Sequence, residues 1–301
     1  MCDTLADYES AERRPAKQRS DPYNIIEDKR HFCPDIFISI GEYMESEYRD
    51  SEQEKDEKES LLEGRNAIRE AFRAGSTIDR LYVQDGLKDG PVMDLVRRAK
   101  KADAVVDYVT KERLDRMSQT GHHQGVIAHA AAYEYAQVED ILNKAKEKGE
   151  SPFVFVLDGI EDPHNLGAII RTANLCGAHG VIIPKRRSAG LTAAVARASA
   201  GAVSYTPVAR VSNLSQTIEE LKRAGLWFVC ADMDGDIMYD LNLTGPLGVV
   251  IGSEGSGAHR LIREKCDMTA SIPMRGDIDS LNASVAAGVL AYEIVRQRMG
   301  R

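Results

Sequence analysis

Three stretches of this chain repeat one pattern, and that pattern leaves few folds open. They are residues 156–184 (VLDGIEDPHNLGAIIRTANLCGAHGVIIP), 247–267 (LGVVIGSEGSGAHRLIREKCD) and 270–298 (ASIPMRGDIDSLNASVAAGVLAYEIVRQR). In each, a short β-branched run stops at Gly, Pro, Asp or Asn and gives way to apolar residues at helical spacing. Strands that alternate with helices in this way form a mainly parallel sheet covered on both faces, because only a crossover helix returns the chain to start the next parallel strand. Polar residues then collect where strands hand over to helices, and in open α/β sheets the ligand crevice lies at those carboxyl ends.

The same alternation organises the chain from residue 152 onward. Strands are expected at 153–157, 180–183, 204–208, 227–230, 248–251 and 269–272. Helices are expected at 166–176, 193–199, 214–223, 260–265 and 283–298. A smaller α/β unit precedes this, with helices over 62–72, 92–102 and 111–117 and strands over 78–83, 104–109 and 125–132. The charged helical stretch 136–151 reads as a linker or lead-in helix. The division is therefore 1–58, 59–135, 136–151 and 152–301.

Residues 1–58 hold 16 acids and 9 bases, a net of −7 of the chain's −8, and the remainder is close to neutral. Such a polar, charge-dense stretch reads as a disordered leader. The apolar piece 35–40 is too short to nucleate a core, and Met44, just ahead of the acidic run, is a candidate natural start. The five cysteines show no C-x-x-C pair and no metal-ligand spacing with His; three sit in apolar helix or strand contexts and read as buried free thiols, and no metal is expected. With no signal pattern and no apolar run near the ~18 residues of a membrane span, a soluble, cytoplasmic protein is expected.

Several nucleotide motifs are missing. The glycines of 252–257 (GSEGSG) have the wrong spacing and come too late for a dinucleotide fingerprint, and no P-loop occurs. The run 232–236 (DMDGD) lacks the acid spacing of a calcium loop and reads as a tight turn. What remains is polar chemistry at strand ends. Asn165 reads as a pre-helical residue, with capping as the plainer alternative. Arg171, among apolar neighbours, needs a partner, and a structural ion pair would serve. Glu254 is the only charge in the glycine loop, and capping the helix near Ala258 is its plainer role. Ser280, Asn282 and Ser284 put three hydroxyl and amide groups at one helix start, more than a single cap uses.

In this order and context the three blocks resemble the three sequence motifs of the SpoU (TrmH-type) RNA ribose 2'-O-methyltransferases, over residues ~60–301. The resemblance implies a trefoil-knotted parallel-sheet domain behind a small α/β RNA-binding domain, S-adenosylmethionine as methyl donor, no metal, and a homodimer through the knotted domain. It implies cofactor contacts, mostly through backbone, from Gly252, Ser253, Glu254, Ile272, Met274, Leu281, Asn282 and Ser284. Arg171, Asn165, Glu254, Asn282 and Ser280 would be the catalytic set. The branch it looks most like methylates a guanosine of 23S rRNA (RlmB). A tRNA or other rRNA methyltransferase, and a non-catalytic RNA-binding assembly factor, are the rival readings. RNA contact is also expected of two places in the small unit. One is the basic helix face with Arg97 and Arg98, otherwise a solvated surface. The other is the 120–125 loop, where His122, His123 and Gln124 can offer donors, acceptors and stacking faces, or simply form a turn. Removing residues 1–58 is expected to leave methyl transfer to total RNA unchanged in a radiolabelled-donor assay; a large loss would give that segment a role.

Overall fold

The computed structural model describes residues 61–300, so the acidic stretch with residues 35–40 and Met44 lies outside the described residues. The first sheet holds β1 (Leu61–Glu63), β2 (Ile78–Gln84), β3 (Val105–Val109) and β4 (Val126–Ala130), in the order β1-β4-β2-β3. Its pairings are antiparallel except for β2 with β3, which is parallel and joined through a helical crossover. Helices α1 (Arg65–Arg73) and α2 (Gly90–Lys101) cover one face through Ile68, Val92, Leu95 and Val96. Helix α3 (Lys111–Met117) covers part of the other through Leu114. The expected helix over 62–72 starts late. Gly64 takes φ of 84°, a conformation open to glycine, and frees residues 61–63 to pair with β4.

Helix α4 (Val138–Lys148) leads into a six-stranded sheet of β5 (Phe153–Asp158), β6 (Gly180–Pro184), β7 (Val208–Val211), β8 (Trp227–Ile237), β9 (Leu247–Gly252) and β10 (Met268–Ser271). The order is β10-β8-β9-β5-β6-β7, and every pair is parallel. Side chains alternate across it as a strand's period of two requires. Phe153, Phe155 and Leu157 pack with α5 (Pro163–Leu175), α6 (Ala193–Ala198) and α9 (Ala283–Arg298). Val154 and Val156 pack on the other face with α4, α7 (Leu214–Arg223) and α8 (Arg260–Arg263). Gly167 makes the α5–α6 approach possible, since a side chain there would meet the backbone of Val195 and Ser199.

Two strand expectations shift. Residues 202–204 form a 3-10 turn after Gly201, and β7 begins beyond Pro207, which has no N–H to give a ladder. The acidic run 232–236 is not a tight turn but lies inside β8. Between Thr269 and Ala270 of β10 the partner jumps from Cys230 to Asp236, so the intervening residues bulge from the ladder. Cys176, Cys230 and Cys266 are free thiols, and burial pushes Cys176 up to about 11. Among the described residues no helix is long and apolar enough to cross a membrane.

The two sheets meet at a buried ion pair. Asp79 of β2 is buried, Arg210 of β7 is largely so, and the two are hydrogen-bonded to each other. The Arg210 guanidinium lies 4.4 Å from the centre of the Tyr135 ring, and the Tyr135 hydroxyl accepts from Leu191 N at 3.0 Å and donates to Asp79. Burial holds the Asp79 carboxyl above its ordinary range, with Arg210 opposing that shift. A buried pair of this kind adds little net stability, but stripping it of one partner strands a charge. Arg210→Met is therefore expected to lower stability by about 3–5 kcal/mol in urea unfolding. Adding Asp79→Asn should recover much of the loss; a single-variant cost near zero would show that the pair does not hold the junction.

Candidate active site

The order of the large sheet reverses between β5 and β9, so the crevice expected of an open α/β sheet falls at their carboxyl ends. Asp158 and Gly252 are register partners there. The chain after β9 doubles back at once: Ser253 N donates to Gly257 O at 3.1 Å and Gly257 N to Ser253 O at 3.0 Å. A side chain on Gly252 would strike the Gly257 and Ala258 backbone, so the turn tolerates only glycine there. This turn, the end of β8 and the chain between β10 and α9 enclose a cavity of about 640 Å³. Gly252, Ser253, Glu254, Ile272, Met274, Ser280, Leu281 and Asn282 all line it. Ser284 does not; its hydroxyl is bonded to Asn282 Oδ1 at 2.6 Å, inside the first turn of α9.

One carboxylate oxygen ties the three blocks together. Glu254 Oε1 accepts from Asn165 Nδ2 at 3.0 Å, from Asn282 Nδ2, and from Ala283 N at 3.4 Å. Asn282 Nδ2 also reaches Asn165 Oδ1 at 3.0 Å. Asn282 is at the same time the N-cap of α9, its Oδ1 accepting from Ser284 N at 2.9 Å and Val285 N at 3.3 Å. Capping is thus real at residue 282, and one amide serves both ends. Glu254 is no cap for the helix near Ala258; it is the point on which the amides converge. Its Oε2 makes no hydrogen bond among the described residues, which leaves an acceptor on the cavity wall.

Asn165 is not pre-helical. Asp162 caps α5, its side chain accepting from His164 N at 2.9 Å, and Pro163 occupies the first turn, where a missing N–H does no harm. Asn165 is therefore inside the helix, buried, and about 120° around the axis from Arg171. That angle decides the fate of Arg171. The buried face of α5 carries Asn165, Leu166, Ile169, Ile170 and Ala173, while Arg171 points to solvent with no ion pair among the described residues. Within one chain it does not line the cavity, and the partner expected for a buried guanidinium is unnecessary because the guanidinium is exposed.

The contacts expected from the small sheet change as well. Arg97 and Arg98 share the single carboxylate of Asp94 one turn back, at 3.1 and 2.8 Å, so it answers only one of their two charges. His123 is buried: Nε2 donates to Asp115 at 2.9 Å and Nδ1 accepts from Gly125 N at 3.0 Å, leaving neither nitrogen for a base. Gln124 holds the start of α1, its Oε1 accepting from Arg65 N at 3.1 Å. These two residues build the loop; His122 is exposed beside them.

Sequence reading missed a contact next to the cavity. Asp158 Oδ2 accepts from both His259 N and His259 Nδ1, at 2.7 and 2.9 Å. A hundred residues separate them, and only the parallel register of β5 and β9 brings them together. Among the described residues no group of three or more His, Cys, Asp or Glu is arranged to hold a metal ion.

Comparison with known proteins fits this geometry. The SpoU rRNA Methylase family matches residues 152–292, and the RNA 2'-O ribose methyltransferase substrate binding family matches residues 61–136. The chain is 48% identical over 236 residues to YacO of Bacillus subtilis (strain 168), named as a TrmH family tRNA/rRNA methyltransferase; the match covers 78% of this chain and 94% of that one. A Staphylococcus haemolyticus protein of the same description is 46% identical over 239 residues, 79% of this chain and 96% of its own length. The crystal structure of the SpoU methyltransferase AviRb from Streptomyces viridochromogenes in complex with the cofactor AdoMet superposes with a TM-score of 0.51 at 27% identity, over 80% of this chain and 91% of that one. AdoMet-bound rRNA methyltransferase from Sinorhizobium meliloti gives 0.50 at 25% identity, over 79% and 87%. With both sheets matched and nearly the full length of these relatives covered, the chain belongs to the SpoU/TrmH family of RNA methyltransferases.

Proposed function

We propose that this protein transfers a methyl group from S-adenosylmethionine to a ribose 2'-hydroxyl of RNA, with a guanosine of 23S rRNA as the target. The observation that carries the reading is the convergence of Asn165 and Asn282 on Glu254 at the wall of the cavity. In this division of labour residues 59–135 bind RNA, 136–151 link, and 152–301 catalyse, in the cytoplasm. The cavity fits the donor. Ile251, Ile272, Met274 and Leu281 supply apolar wall, and Glu254 and Asp279 bring negative charge, which suits a cationic sulfonium better than an anion. When bound, S-adenosylmethionine supplies a methyl group already activated by its positive sulfur.

The chain's own residues do the rest. Gly252, Ile272 and Leu281 offer backbone groups to the donor, with Ser253 and Met274 beside them, and Ser280 shapes the wall. Asn165, Glu254 and Asn282 hold the start of α5, the glycine turn and the start of α9 in one arrangement, so that nucleophile and methyl meet without reorganisation. The ribose hydroxyl is a weak acid and needs help to react. Arg171 stays protonated in a protein, so it stabilises the developing alkoxide rather than removing the proton.

Arg171 reaches the reaction from a second copy of the chain. It shares the exposed surface of α5 and α9 with Leu175, Val285 and Tyr292, which are 64%, 49% and 53% exposed. A partner seated on these apolar residues would cover them and place the guanidinium in a cavity across the interface. The trefoil knot expected of the family is supported by the strand order, with β9 inserted between β5 and β8, and by residues 272–282 returning to Glu254. An RNA substrate is supported by the substrate-binding match to the small sheet.

Arg171→Ala is expected to bind S-adenosylmethionine with nearly unchanged affinity by calorimetry while methyl transfer falls by about 10²–10³-fold, the loss typical of removing one charge-stabilising donor. Retained turnover would remove Arg171 from the mechanism, and no heat with the unaltered protein would remove the donor site. Mass-spectrometric mapping of 2'-O-methyl nucleosides in total RNA, with and without the gene, should show one 23S guanosine losing its methyl group. Loss in tRNA would redirect the reading, and no loss anywhere would favour a non-catalytic RNA-binding factor.

A further inference from the structure

A second run of polar contacts leads away from the cavity along the carboxyl edge of the sheet. Asp158 is buried, and its Oδ2 holds both the amide and the Nδ1–H of His259. A ring committed in this way presents a lone pair on Nε2. Arg187 Nη1 donates to that lone pair at 2.9 Å. Arg187 follows β6 in the sequence Lys185-Arg186-Arg187-Ser188 and has φ of 56°, the left-handed region that non-glycine residues enter at a cost. Side-chain contact and backbone conformation together fix where this guanidinium stands.

Stability does not account for the arrangement. Arg187 and His259 are both exposed, and a surface contact of this kind contributes little. Nor is the charge answered: among the described residues no carboxylate lies within ion-pairing reach of Arg187 or of its exposed neighbour Arg186, whereas Lys185 is paired with Asp103. Arg97 and Arg98, by contrast, both spend part of their guanidinium donors on the Asp94 carboxylate. Arg187 retains its full charge and most of its fork of donors, which match a phosphate better than any other common anionic group on RNA.

Its position suits that use. A side chain on Gly159 would lie 3.3 Å from Ser253 Cβ and 4.0 Å from His259 Cε1, so His259 stands against the turn that walls the donor cavity. Lys185 and Ser188, on either side in sequence, line a separate cleft of about 260 Å³ between the two sheets, facing Arg80, Tyr82 and His129. Glu161 and Pro163, just before Asn165, close the same cleft. The loop bearing Arg187 therefore borders the junction on one side and the reaction centre on the other.

We infer that Arg187, oriented through His259 by Asp158, binds an RNA phosphate beside the target ribose and guides single-stranded RNA from the inter-sheet cleft to the cavity. The assignment rests on the methyltransferase reading above for its substrate class. Arg187 is the contact, and His259 is a positioning residue.

The test uses the full chain and a fluorescein-labelled single-stranded oligouridylate, with binding followed by anisotropy over a range of KCl concentrations. Arg187→Gln should weaken binding several-fold and flatten the slope of log K against log[salt] by about 0.7, the value for one single-strand phosphate. His259→Phe should weaken binding without changing the slope, because the cation remains but is no longer held. His259→Gln, which keeps an acceptor near the Nε2 position, should restore it. S-adenosylmethionine binding should be unchanged in all three. An unaltered slope in Arg187→Gln overturns the phosphate contact, and full affinity in His259→Phe overturns the orienting role. Loss of donor binding in either variant would mean that the cavity itself had been disturbed, and would overturn the assignment. If the unaltered chain gives these slopes yet transfers no methyl group, the proposed reaction fails while the phosphate site stands.

Discussion

Glu254 Oε1 is the point on which the site depends. Three segments separated by up to 117 residues meet there: the start of α5 through Asn165, the glycine turn through Glu254 itself, and the start of α9 through Asn282 and Ala283. An ionised carboxylate accepts several short hydrogen bonds at once, and charge-assisted bonds are the strong ones. An amide oxygen in its place would accept from the same donors without the charge that strengthens these bonds. Each partner is also fixed by something else, Asn165 by burial in a helix and Asn282 by capping α9, so the cluster joins elements that are already rigid. That rigidity is what lets Gly252, Ile272 and Leu281 line one cavity.

The charge of the folded part follows the same economy. Acids and bases nearly cancel beyond residue 58, and many surface arginines are answered by a carboxylate one turn away. Against that background the unanswered guanidiniums carry information. Arg171 on the open surface of α5 and Arg187 after β6 are two of these, and both are held on well-formed elements or turns. A protein of near-neutral body cannot attract RNA through a general field, so a few positioned cations have to supply both attraction and register.

Most secondary structure was legible in the order of residues. Helices α7 and α9 and the cores of β5, β6 and β9 follow directly from apolar period and flanking punctuation, because burial on one or two faces dictates that period. Boundaries were less legible where a single residue's backbone decides. Gly64 ended a strand inside an apparent helix, Pro207 delayed β7, and Asp162 with Pro163 began α5 early enough to enclose Asn165. The last of these matters for the chemistry, since it turns Asn165 from a loop residue into a buried helical one.

The linear sequence by itself determined the parallel α/β class, the three polar strand ends, and the residue types gathered there, because those depend on local periodicity and on which residues tolerate a turn. It could not say that Asn165, Glu254 and Asn282 share one oxygen, that His123 is consumed by its own loop, or that Asp158 orients His259 toward Arg187. Those facts come from register between strands far apart in the chain and from which side of a helix faces the core. A shift of one residue in either would send the same side chains to another face. Only the packed structure decides it.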